Sequence, residues 1–196
     1  MNTTASPTLT ERFDDALAYA SRIHRTQIRK GSDTPYVAHL LGVASLALEF
    51  GADEDQAIAA LLHDAVEDQG GAERLADIRA RYGDCVAAIV ADCTDSEIEP
   101  KPPWRQRKEA YIASLADKPA ASLLVSIADK THNAGAINAD LRVVGEALWS
   151  RFTGGKEGTL WYYRSLADAF ARLLPGPPSD RLGREVDEME ELATRR

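Results

Sequence analysis

The segment Ala60-Leu61-Leu62-His63-Asp64-Ala65-Val66-Glu67-Asp68 constrains this chain more than any other, because it sets four ionisable groups at the end of an otherwise apolar stretch. Residues 54–68 read as one helix with apolar side chains at helical spacing. A helix that buries such a face excludes charge unless the charge is paired, since burying it alone is costly. A His-Asp pair followed one turn later by a Glu-Asp pair therefore predicts a sheltered site in which the first pair holds a metal and the second moves protons. Helical geometry puts Glu67 beside His63 and Asp68 beside Asp64 on neighbouring faces. Acids at a helix C-terminus also oppose the helix dipole, so the placement is unfavourable without compensation.

The same period runs through most of the chain. Phe13, Leu17, Ala20 and Ile23 recur at helical spacing, and the polar run from Arg29 to Asp33 then reads as a loop. Thr34 can cap the next helix with Pro35 in its first position, Val37, Leu40, Leu41, Ala44 and Leu48 on its apolar stripe, and Gly51 at its end. Gly70-Gly71 stops the helix at 54–68, and shorter helices are expected over 72–82 and 84–92. Residues 94–103, with three prolines and alternating charges, read as a mobile loop long enough to cover a site. Further helices are expected over 104–115, 120–138, 141–149, 160–174 and 180–193, with a glycine-rich loop at 151–158. Residues 123–128 are apolar almost all round and so belong in the centre.

No alternating strand pattern occurs. The expected fold is all-α, a single-domain bundle of about nine or ten helices. Residues 1–10 are expected to form a short flexible N-terminus, 11–175 the domain proper, and 176–196 a C-terminal helix packing on it.

At 196 residues, 28% charged and 44% hydrophobic, the chain has an ordinary soluble balance and can bury a full core. No apolar run approaches the roughly 20 residues of a membrane span. The start MNTTASPTLTERF has neither the basic region nor the apolar core of an export signal, so a cytoplasmic location and no membrane partner are expected. Cys85 and Cys93 lie on one expected helix as free thiols. A net charge of -8 argues against general nucleic-acid binding, although a local cluster of cations can still hold a small phosphorylated ligand. Oligomeric state is not legible.

His39 on the preceding helix and Asp129, which interrupts the most apolar helix, raise the His63-Asp64 doublet to four possible ligands on three helices. Two imidazoles and two carboxylates suit manganese, iron, cobalt or zinc better than calcium, which prefers oxygen. Each residue alone has a plainer reading: His39 as a buried histidine, Asp129 as an ion-pair partner of Lys130. Held jointly, the plainer readings are the less economical account. Glu67 and Asp68 can take a proton from water or give one to a leaving oxygen. Arg29, Lys30, Arg105, Arg107, Lys108 and Lys130 are the cations that could meet a phosphorylated small molecule, and Arg29 could stack on a purine.

Four segments in order, His24-Arg25-Thr26-Gln27-Ile28-Arg29-Lys30, Thr34-Pro35-Tyr36-Val37-Ala38-His39, residues 60–68 and Ala128-Asp129-Lys130-Thr131-His132-Asn133, resemble the HD-domain hydrolases of the RelA/SpoT type. The resemblance is in particular to the small standalone alarmone hydrolases, including the metazoan SpoT homologue, and covers roughly residues 13–138. It implies His39, His63, Asp64 and Asp129 as ligands, usually of manganese, and Glu67 and Asp68 as the catalytic acids. Arg29 and Lys30 then hold the guanine and a nearby phosphate, Asn133 contacts the nucleotide, and His24 is structural or supports the ligands. His132 is a packing or surface histidine on this reading.

The implied reaction is removal of the 3′-pyrophosphate of (p)ppGpp. The chain departs from the family after Asn133, where Ala134-Gly135-Ala136 replaces a hydrophobic residue, an arginine and often a threonine. Residues 151–164 could close the pocket or simply pack; Trp161 is expected to pack, with one of Tyr162 and Tyr163 left as a ligand contact. Two other functions stay open: phosphate removal from NADPH or another nucleotide such as a nucleoside monophosphate, and a non-catalytic alarmone-binding or antitoxin role.

Overall fold

Capping chemistry sets the first helices. Thr10 accepts a bond from the Arg12 amide and opens α1 (Glu11–Ile23), while Asp53 and Gln56 form a reciprocal capping box at the start of α3 (Glu54–Leu62). Between them α2 spans Val37–Glu49. The computed structural model describes residues 8–94 and 102–194. Among these it contains ten α-helices, two 3-10 helices and no strand beyond an isolated antiparallel bridge between Ile28 and Pro35. The remaining helices are α4 (Ala65–Gln69), α5 (Gly71–Tyr82), α6 (Asp84–Cys93), α7 (Trp104–Ser114), α8 (Ala120–Val144), α9 (Gly155–Leu173) and α10 (Pro177–Thr194). Most of the expected loop at 94–103 and of the expected N-terminal segment at 1–10 lies outside the described residues.

Four boundaries differ from expectation. The helix expected over 54–68 is two: His63 and Asp64 form a corner between α3 and α4, with Asp64 at φ -97, ψ -1. Asp64 thus leaves regular helical geometry, and the His63 ring reaches back to the Ala60 carbonyl, 2.9 Å away, at the fraying end of α3. The dipole argument reverses accordingly, because Glu67 and Asp68 lie in the first turn of α4 rather than the last of α3.

Thr34 and Pro35 do not start α2. They belong to a tight excursion over residues 27–36, in which the Arg29 amide donates to Thr34 O and the Tyr36 amide to Gln27 O, both at 2.9 Å. Residues 120–144 form one continuous helix instead of two, because Asn138, at the expected break, is buried and its Nδ2 donates to Glu185 O at 2.8 Å. The expected loop at 151–158 shortens to a turn, with α9 starting at Gly155, whose carbonyl accepts from Thr159 Oγ1. A 3-10 helix, Gly145–Arg151, fills the gap after α8, and another, Leu115–Asp117, follows α7.

Two apolar clusters result. One gathers α1 to α6 around Leu40, Ile58, Leu61, Leu62, Ile78 and Val90. The other joins α7 to α10 around Leu115, Leu166, Phe170, Leu182 and Met189. α8 serves both, giving Val125 and Ala128 to the first and Leu123, Ile127 and Ala134 to the second. α10 buries Leu182, Val186 and Met189, one side chain per turn, and each such burial stabilises by about 1.5–3 kcal/mol.

Candidate active site

Where the two clusters meet, four polar side chains from α2, the α3–α4 corner and the middle of α8 converge. His39 Nε2 lies 3.3 Å from His63 Nε2, 3.5 Å from Asp64 Oδ2 and 3.3 Å from Asp129 Oδ1. His63 Nε2 lies 3.0 Å from Asp64 Oδ2 and 3.6 Å from Asp129 Oδ1. Donors bonded to one cation at about 2.1 Å, at right angles or tetrahedrally, sit roughly 3.0–3.4 Å apart, so the spacing is that of ligands on a shared ion. His39, His63 and Asp129 are buried, whereas Asp64 is half-buried and reaches the group from its open side.

Each donor is held from behind. His63 Nδ1 donates to the Ala60 carbonyl, which leaves Nε2 as the lone-pair nitrogen facing the cluster. His39 Nδ1 pairs with His132 Nδ1 at 3.0 Å, so His132 is neither surface nor mere packing: it orients a ring of the cluster. The approach requires Gly42, since a Cβ there would stand 2.1 Å from His132 Nε2. Tyr36 Oη donates to Asp64 Oδ2 at 2.5 Å, and Asn133 Nδ2 to Asp129 Oδ1 at 2.5 Å. Lys130 Nζ donates to Asp129 Oδ2 at 2.7 Å, the ion pair that sequence adjacency suggested.

Electrostatics follow the geometry. Burial disfavours protonated His63, but the charges of Asp64 and Asp129 outweigh it and raise its pKa well above the usual histidine value. Burial works to raise Asp64, yet His63 and His39 hold it below the carboxylate range. Asp129 is likewise depressed against burial, first by Lys130 and then by the imidazoles. Burial and the neighbouring His39 and Arg29 push His132 down to about 4, so it stays neutral and can accept from His39 Nδ1–H. A cation entering this cluster replaces the proton on His63, so binding weakens as pH falls. Two carboxylates and two imidazoles with tautomers fixed by neighbours fit a divalent transition metal.

Above the cluster opens a cavity of about 740 Å³. Arg29, Lys30, Lys130 and Asn133 line it as the sequence suggests, with Arg29 Nη2 donating to Asn133 Oδ1 at 2.9 Å. Arg105 and Lys108 do not. Arg105 is exposed, bonded to Glu109 at 2.7 Å and stacked over Trp161, and Lys108 lies over the ring of Tyr162. The cause is that α7 packs on α9 through these rings, outside the described cavity wall. Glu67 and Asp68 are exposed and do not line the cavity either; Asp68 Oδ2 accepts from Gln27 Nε2 at 2.7 Å.

His24 is buried, donates from Nδ1 to Gln27 Oε1 at 2.7 Å and stacks on Tyr36, which makes it structural. Of the tyrosines Tyr163 lines the cavity, and Trp161 packs against Trp104 and Arg105. Tyr36 and Trp104 were not singled out for the wall, whereas Arg151 and Phe152 fall in residues 151–164, which the sequence left open between closing the pocket and packing.

Comparison with known proteins follows the same outline. A model described as HD domain matches residues 16–159. The Drosophila melanogaster guanosine-3′,5′-bis(diphosphate) 3′-pyrophosphohydrolase MESH1 is 34% identical over 143 residues, 71% of this chain and 75% of that one. A solved metazoan orthologue of SpoT, described as hydrolysing ppGpp and acting in starvation responses, superposes with a TM-score of 0.74 at 27% identity, covering 95% of this chain and 98% of that one. A Listeria monocytogenes structure superposes with a TM-score of 0.67 at 28% identity over 80% of this chain and 99% of its own. With its fold shared almost end to end and its central 16–159 matched by the model, the chain belongs to the HD domain family.

Proposed function

We propose that this protein is a manganese-dependent (p)ppGpp 3′-pyrophosphohydrolase that degrades the alarmone to GDP or GTP and pyrophosphate. The observation that carries the reading is the set of donor atoms 3.0–3.6 Å apart at the base of a cation-lined cavity. In it His39, His63, Asp64 and Asp129 hold the ion. When bound, a divalent cation supplies Lewis-acid polarisation of the 3′-phosphoryl group and a lowered pKa for the attacking water.

The chain's own groups do the rest. Tyr36 and His132 fix the ligand orientations, and Lys130 neutralises the second oxygen of Asp129. Arg29, Lys30 and Asn133 bind the nucleotide on the adjoining wall. Water adds to the inner 3′ phosphorus, the bond from that phosphorus to the ribose 3′ oxygen breaks, and pyrophosphate leaves. Glu67 and Asp68, exposed on α4 outside the cavity wall and one turn beyond the ligands, are the acids that would take the water proton and serve the departing 3′ oxygen, with Gln27 holding Asp68. Residues 11–175 form the catalytic domain, the C-terminal segment from 176 packs on it through α10 (Pro177–Thr194), and the protein acts in the cytoplasm.

Incubation with manganese and ppGpp, NADPH or deoxynucleoside monophosphates tests the reading. Pyrophosphate release from ppGpp is expected. Orthophosphate release from another nucleotide, with ppGpp untouched, overturns the substrate and leaves the metal chemistry; binding of ppGpp without turnover overturns the enzyme.

A further inference from the structure

Arg151 stands on the cavity wall although no motif leads to it. Its side chain leaves the 3-10 helix Gly145–Arg151 and crosses the cavity mouth to the 27–36 excursion. There it lies so close to Gly31 that a Cβ at this glycine would meet Arg151 Cδ at 2.7 Å and Nε at 3.0 Å. Gly31, at φ +82, accepts both the left-handed turn and the contact. From the other side Asp140 Oδ2 accepts from Arg151 Nη1 at 2.9 Å. The guanidinium is thereby held beside Arg29 and Lys30, two residues and one residue from Gly31 in the chain.

Position along α8 sets the distance from the chemistry. Asp129 belongs to the ligand cluster and Asp140 is eleven residues on, which at about 1.5 Å per residue is roughly 16 Å along the axis. Arg151, reaching from Asp140 back over Gly31, therefore serves the end of the cavity away from the cluster. The cations nearer the cluster are committed: Lys130 to Asp129 and Arg29 to Asn133. A substrate with its 3′ pyrophosphate at the cluster carries a second phosphate chain on the 5′ carbon, and that chain needs a planar, multi-donor cation at the mouth.

We propose that Arg151 is a specificity residue that binds the 5′-phosphate chain of the substrate, with Asp140 positioning its guanidinium; the inference rests on the alarmone-hydrolase reading. It commits to a nucleotide bearing phosphates at both ribose positions. Exposed on one side and paired to a half-exposed aspartate, the side chain can be removed without opening a core.

The test is a substrate cycle. Arg151→Ala and Arg151→Lys are compared with the unaltered protein on guanosine 3′,5′-bis(diphosphate) and on guanosine 3′-diphosphate, which lacks the 5′ chain. Arg151→Ala is expected to raise KM at least about tenfold on the first and under about threefold on the second, with Arg151→Lys intermediate. Equal losses on both substrates, or none on either, overturn the assignment. The same nucleotides are titrated calorimetrically into Glu67→Gln protein with and without Arg151→Ala. A selective loss of affinity for the doubly phosphorylated nucleotide upholds the assignment even if the unaltered protein releases no pyrophosphate, an outcome that sinks only the hydrolase reading.

Discussion

The base of the cavity and its mouth are built on different terms. At the base every donor has a second partner: Ala60 O for His63, His132 for His39, Tyr36 for Asp64, Asn133 and Lys130 for Asp129. Between base and mouth Arg29 leans on Asn133, at the mouth Arg151 leans on Asp140, and the wall is completed by aromatic faces from Trp104, Phe152 and Tyr163. The base tolerates one geometry, set by the radius of an ion. The mouth can be rebuilt for a new ligand without disturbing the metal.

The most severe way to probe this contrast is Asp64→Ala, which removes an innermost donor. Calorimetric manganese binding should fall by at least about 100-fold and pyrophosphate release from ppGpp by 1,000-fold or more. Retained activity would mean that the base is not a metal site. Next come the outer partners. Tyr36→Phe deletes the hydroxyl that holds Asp64, and Gly42→Ala pushes His132 off His39; each should weaken manganese binding by about 10- to 100-fold while the KM for nucleotide moves far less. If KM alone changes, base and mouth are not separable.

Arg105→Ala is a smaller perturbation, because Arg105 is exposed and stacked on Trp161 away from the cavity. A change in KM within about twofold is expected from steady-state kinetics. A tenfold rise would show that α7 swings its cations over the mouth when substrate is present.

The smallest effect is on pH-dependent stability. Burial lowers the pKa of His24 below the unfolded value near 6.5, so the unfolded chain binds the proton more readily. Stability from this group is therefore complete above the unfolded pKa and is lost as pH falls toward the folded one. Urea midpoints measured at intervals from pH 7.5 to pH 5 should decline less steeply in His24→Asn than in the unaltered protein. Equal slopes would assign the acid sensitivity to other groups.

Residues whose type is dictated by chemistry were legible in sequence. His39, His63, Asp64 and Asp129 interrupt apolar periodicity, and the fold brings all four together. The helical class was legible for the same reason, as one period runs through nearly every segment. The corner at His63-Asp64 was hidden because its neighbours on both sides keep helical spacing, and the break comes from two residues whose side chains answer to the cluster. The continuity of α8 was hidden by Asn138, whose partner Glu185 is far away in sequence. Arg151 and Phe152 were legible only as part of residues 151–164, left between closing the pocket and packing, because nothing local distinguishes a cavity wall from a loop. Glu67 and Asp68, read as neighbours of the metal, stand exposed on α4, which Gln27 ties to the excursion that carries Arg29 through its bonds with Asp68 and Gln69.

α8 threads both apolar clusters, serving both over residues 123–128 and the second alone from Ala134 on, and carries Asp129 just beyond the last side chain it buries in the first. Amide hydrogens around residues 123–131 cannot reach solvent unless both halves come apart, so their exchange should report global unfolding and slow when manganese is added. A lesion in α10, far from any phosphate, would then surface as a weaker hold on the ion.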